Sequence, residues 1–416
     1  MQVVLAIAVL VGLALLSAGM ARRAIGNRLA AMAVSGLWGA GIIGLLLGPS
    51  ASGLINAGTR DNPGTRDLAT PLVVVTLGWV GMMIGLQVRR DVLKRVPAEV
   101  WRLVRIDALA TILVWMPIAA TLVWWAFDGT QADARLAVAV ALVAALMGWS
   151  SETRSLRPEG LGHATIAEYA VRGSGALASI VAVCAFGAGV LGVDAVRRAL
   201  VDPSFVAVGI LGTISWLALI VIAGGLLGRL GLSLAGRSRG NQLVAFLGTV
   251  ALVAGLAAKI GISSLLCAAI VGSIIGSARG FGAREFERYL LSAELAIATL
   301  LGLLVGVACT VDIHAADMVI AGAIVAWRIG VKPRLARLGA PELATDRALT
   351  LGAIRPHPVG LAFALALTLH IESGAAARAG TILIVSAIAC DLCARILSRR
   401  STQVAAGAPA APGVMA

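Results

Sequence analysis

The sequence predicts an all-α membrane protein of about 13 transmembrane helices, built as an inverted repeat with two crossed discontinuous helices. Three observations carry that expectation: the composition, the lengths of the apolar runs, and the way basic residues alternate between those runs. Of 416 residues, 59% are apolar and only 13% are charged, and mean hydropathy is +0.94. Soluble domains run at about 45–50% apolar and about 25% charged. A water-soluble globule of this length has too little interior to hide that much apolar surface.

A helix crossing the hydrocarbon core needs about 20 apolar residues. On that measure the spans fall near 2–20, 29–48, 71–88, 103–127, 135–156, 164–191, 205–228, 242–258, 262–278, 291–311, 317–331, 349–370 and 379–397. The first has no positive residues ahead of it, and Arg22, Arg23 and Arg28 follow it. That order reads as a spanning helix with its N-terminus outside, not as a cleaved signal peptide. The second closes on Gly48-Pro49, and the third runs into Arg89 and Arg90. The eighth and ninth are parted only by Lys259, Ile260 and Gly261, and the fifth turns polar halfway.

The charges check the count. Connections placed inside by this scheme hold 24 of the 34 basic residues, including the groups around Arg89, Arg154, Arg237, Arg284, Lys332 to Arg347, and Arg395. The outer connections hold seven, among them Arg135 and Arg378, and most have an Asp or Glu nearby. An extra or missing helix would scramble this alternation downstream, so the positive-inside rule supports the count with a cytoplasmic C-terminus in the inner (plasma) membrane. Net charge is +13, but it sits in short clusters between apolar runs without interleaved aromatics. That is topogenic charge facing the lipid bilayer, and nucleic acid is not an expected partner.

Three basic residues lie inside spans: Arg172, Arg328 and Arg355. A charge at membrane depth costs at least about 2.5–3.5 kcal/mol on insertion scales and is by default a functional candidate. Two spans are interrupted. The fifth runs from ALVAALM into Gly148, Trp149, Ser150, Ser151, Glu152 and Thr153; the twelfth is broken at Arg355-Pro356-His357-Pro358 before LAFALALTL resumes. Each Pro removes a helix donor, and broken backbone at membrane depth occurs only where protein or a cavity satisfies it. The two breaks lie seven spans apart, so their helices run in opposite directions, which marks an inverted repeat with a midplane site.

The chain resembles the monovalent cation/proton antiporter superfamily of the sodium/hydrogen-exchanger type. The likeness rests on the GLLLGPS run at 44–50, LGWVGMMIGL at 77–86 followed by Arg89 and Arg90, GLAAKIGISSLLCAAIVGSIIG at 255–276, and the segment from Leu301 to Asp312. It covers residues 1–400, read as one transmembrane domain of core and scaffold helices. Residues 401–416 read as a disordered cytoplasmic tail, with no soluble nucleotide-binding domain expected after it. The resemblance implies a secondary transporter, proton-coupled and moving Na⁺ or K⁺ by antiport, with the cation held where the broken helices cross. It also implies an acidic or Asn-Asp pair after the first break, and here that pair falls on Arg172 and Gly173. Arg328 matches the family's basic residue of the penultimate core helix, and Ser150 and Ser151 match the small polar residues at the first break.

The expected site is therefore atypical and basic: Arg172, Arg328, Arg355 and His357, with Glu168 and Glu152 as nearby acids. Glu168 and Arg172 stand i, i+4, within pairing distance on a helix. Three readings stay open: exchange with relocated acids, an anionic-solute transporter using the core arginines, and a non-transporting sensor or partner subunit of the same fold. A homodimer or a related membrane chain is the expected protein partner. Asp107, Glu294 and Asp391 are expected to snorkel near inner loops, and Trp79, Trp101, Trp124, Trp125 and Trp327 to sit in interfacial belts. No enzyme constellation, metal-ligand spacing or cofactor motif is present; Cys390 and Cys393 form a CxxC without a His or a second pair.

Overall fold

The computed structural model describes residues 37–48, 63–88, 93–94, 96–148, 166–201, 206–235, 239–277, 283–309, 312–339, 341, 347–357, 359–371 and 373–407. Within these the helices are α1 (Leu37–Leu47), α2 (Pro63–Gln87), α3 (Ala98–Ala126), α4 (Ala132–Met147), α5 (Ile166–Val201), α6 (Val206–Leu234) and α7 (Arg239–Ile260). They continue as α8 (Ser264–Gly276), α9 (Ala283–Ala308), α10 (Ala315–Ala326, extended through Trp327–Val331 and Lys332–Gly339), α11 (Arg347–Ile354), α12 (Val359–His370) and α13 (Ser373–Gly407). Six described segments are long and apolar enough to cross a membrane: 70–87, 98–126, 173–195, 209–234, 240–260 and 374–397. The expected first span, at 2–20, lies outside the described residues.

Patterning decides which helices go inside. In α4 the sequence ADARLAVAVALVAALM has no polar face after its first turn, and every residue from Ala137 to Met147 is buried. A helix that is apolar all round belongs in a core. The same holds for α12, buried from Leu361 to Leu367, and Phe186 of α5 stacks on its Phe363 at 4.8 Å. A second apolar cluster joins α2, α6, α7 and α8, with Trp79 edge-on to Phe246 at 5.0 Å. By contrast α6 turns Leu211, Ile214, Leu219, Ile222, Leu226 and Leu230 outward, all more than two-fifths exposed. Such a face suits acyl chains and not water. Trp79 and Trp327 are buried, so neither can join the expected interfacial belt, whereas Trp101, Trp124 and Trp125 are exposed.

The inverted repeat appears in three corresponding places. Helices α1 and α9, the second and tenth spans, meet backbone to backbone: a Cβ on Gly44 would strike the Leu303 carbonyl, and one on Gly306 the Gly41 carbonyl. Their repeat counterparts α8 and α2, the ninth and third spans, meet the same way at Gly81 with Leu265, Gly85 with Ala269 and Gly272 with Met82. Small residues let membrane helices approach this closely. Next, α3 and α10, the fourth and eleventh spans, each contain one π-helical turn, at Thr111–Trp115 and Trp327–Val331. Last, α4 stops and the α11/α12 span breaks, seven spans apart. The short connection between α7 and α8 is made by Gly261, whose φ of 82° favours glycine, and by Ser263, whose hydroxyl caps Leu266 N.

The glycine seams give a direct test. Gly85→Val and Gly306→Val should each lower stability by about 1–3 kcal/mol or more, the cost of overpacking, seen as a lower unfolding temperature in detergent. Gly255→Ala, mid-helix and where an added Cβ meets nothing within 4 Å, should not lower it.

Candidate functional site at the helix breaks

Helix α4 ends at Met147, and Gly148 is extended with φ −65° and ψ 132°. On the other side α11 ends at Ile354, Arg355 closes its last turn by donating to Leu351 O at 3.0 Å, and α12 begins at Val359. The two interruptions touch: a Cβ on Gly148 would lie 3.1 Å from His357 Cβ, and one on Gly360 3.4 Å from Ala145 Cβ. The expected crossing of two breaks is therefore present on the near side of Gly148. Ser150, Ser151 and Glu152 lie outside the described residues, as do the side chains of Glu168 and Arg172, whose backbone belongs to α5.

Helix C-termini leave orphan carbonyls and carry the negative end of the macrodipole. Here two such ends converge, and Arg328 of α10 fills the space between them. Its Nη2 donates to Ala145 O at 2.7 Å and Gly148 O at 3.2 Å, and its Nη1 to Arg355 O at 3.2 Å. Arg328 is 3% exposed, so its charge is offset by backbone dipoles rather than by water. Among the described residues no carboxylate shares an ion pair with it. The planar fork matters, because an ammonium is a point charge and cannot aim donors at both ends in this fixed geometry.

Arg355 and His357 flank this staple. Arg355 Nε lies 3.7 Å from Asp391 Oδ1, and Asp391 Oδ2 accepts from Arg395 Nε at 2.7 Å. Asp391, expected to snorkel, instead bridges two arginines. His357 Nδ1 accepts from Val359 N at 3.2 Å and so begins α12; in the neutral ring that places the proton on Nε2. Between the breaks lies a cavity of about 20 Å³ lined by Ala145, Leu146, Arg328, Pro356, His357 and Ser386, among others. A cavity above about 10–15 Å³ holds a water, and by the same measure an ion of that size.

Two further ion pairs fasten α10, one to α3 and one to α13, and the sequence reading missed both. Asp107 is buried, and Lys332 Nζ donates to its Oδ2 at 3.1 Å. The snorkelling expected of Asp107 and the inner-loop position given to Lys332 are both overturned: α10 runs on past 331, carrying Lys332 inward to its counter-ion. At the other end of the seam Arg378 of α13 grips Asp317 with two bonds, at 3.1 Å and 2.6 Å, and donates to Ala126 O at 2.9 Å. Its guanidinium also lies 4.2 Å from the Phe127 ring centroid. The only signal that would have paired these charges was an Asp and a Lys each within a turn or so of a predicted span end.

No protein-family model matches the chain, and no curated protein matches it. Among solved structures it is similar to the sodium proton antiporter MjNhaP1 from Methanocaldococcus jannaschii, at 17% identity and a TM-score of 0.58, over 98% of this chain and 99% of that one. At this identity the likeness is one of fold: the crossed breaks and the repeat belong to the fold of that solved structure. It extends over the whole chain, so the ordered likeness noted in the sequence has a structural counterpart.

The staple makes a testable demand. Arg328→Met strips donors from three carbonyls, each costing about 1–3 kcal/mol if left unsatisfied, and should destabilise the protein by several kcal/mol. Arg328→Lys should recover only part of that. Thermal unfolding of the three proteins in one detergent measures it, and equal stability of Met and wild type would remove the staple's structural role.

Proposed function

We propose that the chain is a multi-pass secondary transporter that exchanges protons for a monovalent cation such as Na⁺ or K⁺, with an atypical, arginine-stapled site. The observation that carries this is the meeting of two helix breaks around a small cavity, in a fold shared over 98% of the chain with a protein described as a sodium proton antiporter. Alternating access would move a core of α3–α5 and α10–α13 against a scaffold containing α2, α6, α7 and α8. The chain would sit in the inner (plasma) membrane with its C-terminus in the cytoplasm, and a homodimer or a related membrane chain against the apolar α6 face belongs to the same reading.

A second reading has its own support. Arg328 occupies the carbonyls that would otherwise be free to hold a cation, and among the described residues no carboxylate lines the cavity. A guanidinium neither leaves nor loses its proton near neutral pH. That favours a non-transporting sensor or partner subunit that keeps the antiporter fold. The anionic-solute reading would rest on Arg172, whose side chain lies outside the described residues, since Arg328 is committed to carbonyls and Arg355 faces Asp391.

The purified protein in vesicles with an imposed pH gradient and an internal pH dye separates the two. Exchange predicts that adding Na⁺, K⁺ or Li⁺ outside dissipates the gradient with at least one ion preferred. A gradient untouched by all three, in vesicles a protonophore still collapses, sinks exchange and leaves the partner-subunit reading standing.

A further inference from the structure

The seam between α3 and α10 contains more polar chemistry than a structural clamp needs. Asp107, Thr111 and Trp115 follow one another at four-residue steps along α3. On α10 the π turn aligns Trp327 with Lys332, whose backbone N–H bonds Trp327 O. Lys332 meets Asp107 at 3.1 Å, and Trp115 meets Trp327 with ring centroids 5.5 Å apart. Asp107, Thr111 and Lys332 are 1%, 0% and 0% exposed. The Thr111 hydroxyl and the indole N–H groups of Trp115 and Trp327 are buried without a hydrogen-bond partner among the described residues. Buried polar atoms normally find partners, and each exception calls for an explanation. Three in one seam, beside a buried ion pair and at two π turns, point to a ligand, since π turns cluster at functional sites.

We infer that Asp107 and Lys332, with Thr111 and the Trp115–Trp327 indoles around them, form a proton-binding site in the α3–α10 seam. The step is a simple one: a proton adds to an oxygen of the Asp107 carboxylate to give the neutral acid, and its departure restores the pair with the Lys332 ammonium. Thr111 suits both states, because a hydroxyl donates to a carboxylate and accepts from a carboxylic acid. The indoles donate only, and would meet the oxygen of a hydrated proton in the seam. Arg328, one turn before Lys332 on α10, and Cys390 of α13 also face Lys332 electrostatically, whereas Arg105 on α3 turns outward to Trp101 O. As the seat of the exchanged proton, the site rests on the exchange reading above. It places the coupling acid on α3, away from the crossing, which Arg328 fills.

Infrared difference spectroscopy of the full-length protein in lipid, between acid and alkaline buffer, reads the site without any transport. The wild type should show a carboxylic-acid C=O band that appears on acidification, and the double variant Asp107→Asn/Lys332→Gln, which removes both charges together, should lack it. In vesicles the same double variant should lose cation-driven proton flux to background. Should the double variant not fold, Thr111→Val decides, since it keeps the ion pair and should move the midpoint of the band; an unmoved midpoint overturns the site. A band unchanged in the double variant, or no band in the wild type, also overturns it. A band that behaves as described in a wild type without cation-driven flux upholds the site and removes the exchange reading instead.

Discussion

One guanidinium holds the interior together. Breaking two helices at membrane depth exposes carbonyls that lipid cannot satisfy, and in this chain Arg328 answers three of them at once. Among the described residues its partner is the summed partial charge of two helix ends, not a carboxylate. Much else follows from that choice. α10 must stay close to both breaks, and the small cavity beside the staple keeps an otherwise mostly apolar lining.

The charges of the core are shared out along the α3–α10 seam and its neighbours. Asp107 and Lys332 lie at one end, Asp317 and Arg378 at the other, and Arg328 in between, with Asp391 taking Arg355 and Arg395. Taking charges out of water is expensive, and an ion pair returns that cost only with good geometry. The bidentate grip of Arg378 on Asp317 has such geometry. The glycine seams of α1 with α9 and α2 with α8 work differently, by close backbone approach.

Sequence patterning made the architecture legible because membrane helices advertise themselves: uniform apolarity marked α4 and α12, and the Pro-flanked His357 marked a real break. The staple itself was half legible. Arg328 stood out as a charge inside a span, but its partners are backbone carbonyls, which every residue has and no sequence reveals. Asp107 and Lys332 were misplaced for a related reason. Span ends read from hydropathy are uncertain by a turn, and one turn is the difference between a loop lysine and a buried one. Trp327 looked interfacial by the same error, whereas α10 continues past it into the core.

The paired indoles at 5.5 Å give the molecule a built-in optical gauge. Two chromophores that close share their excited state, and the resulting splitting of their ultraviolet dichroism weakens steeply as the rings separate or rotate. With the remaining tryptophans replaced, that signal would report whether the two π-turned helices part, and would do so without an attached label.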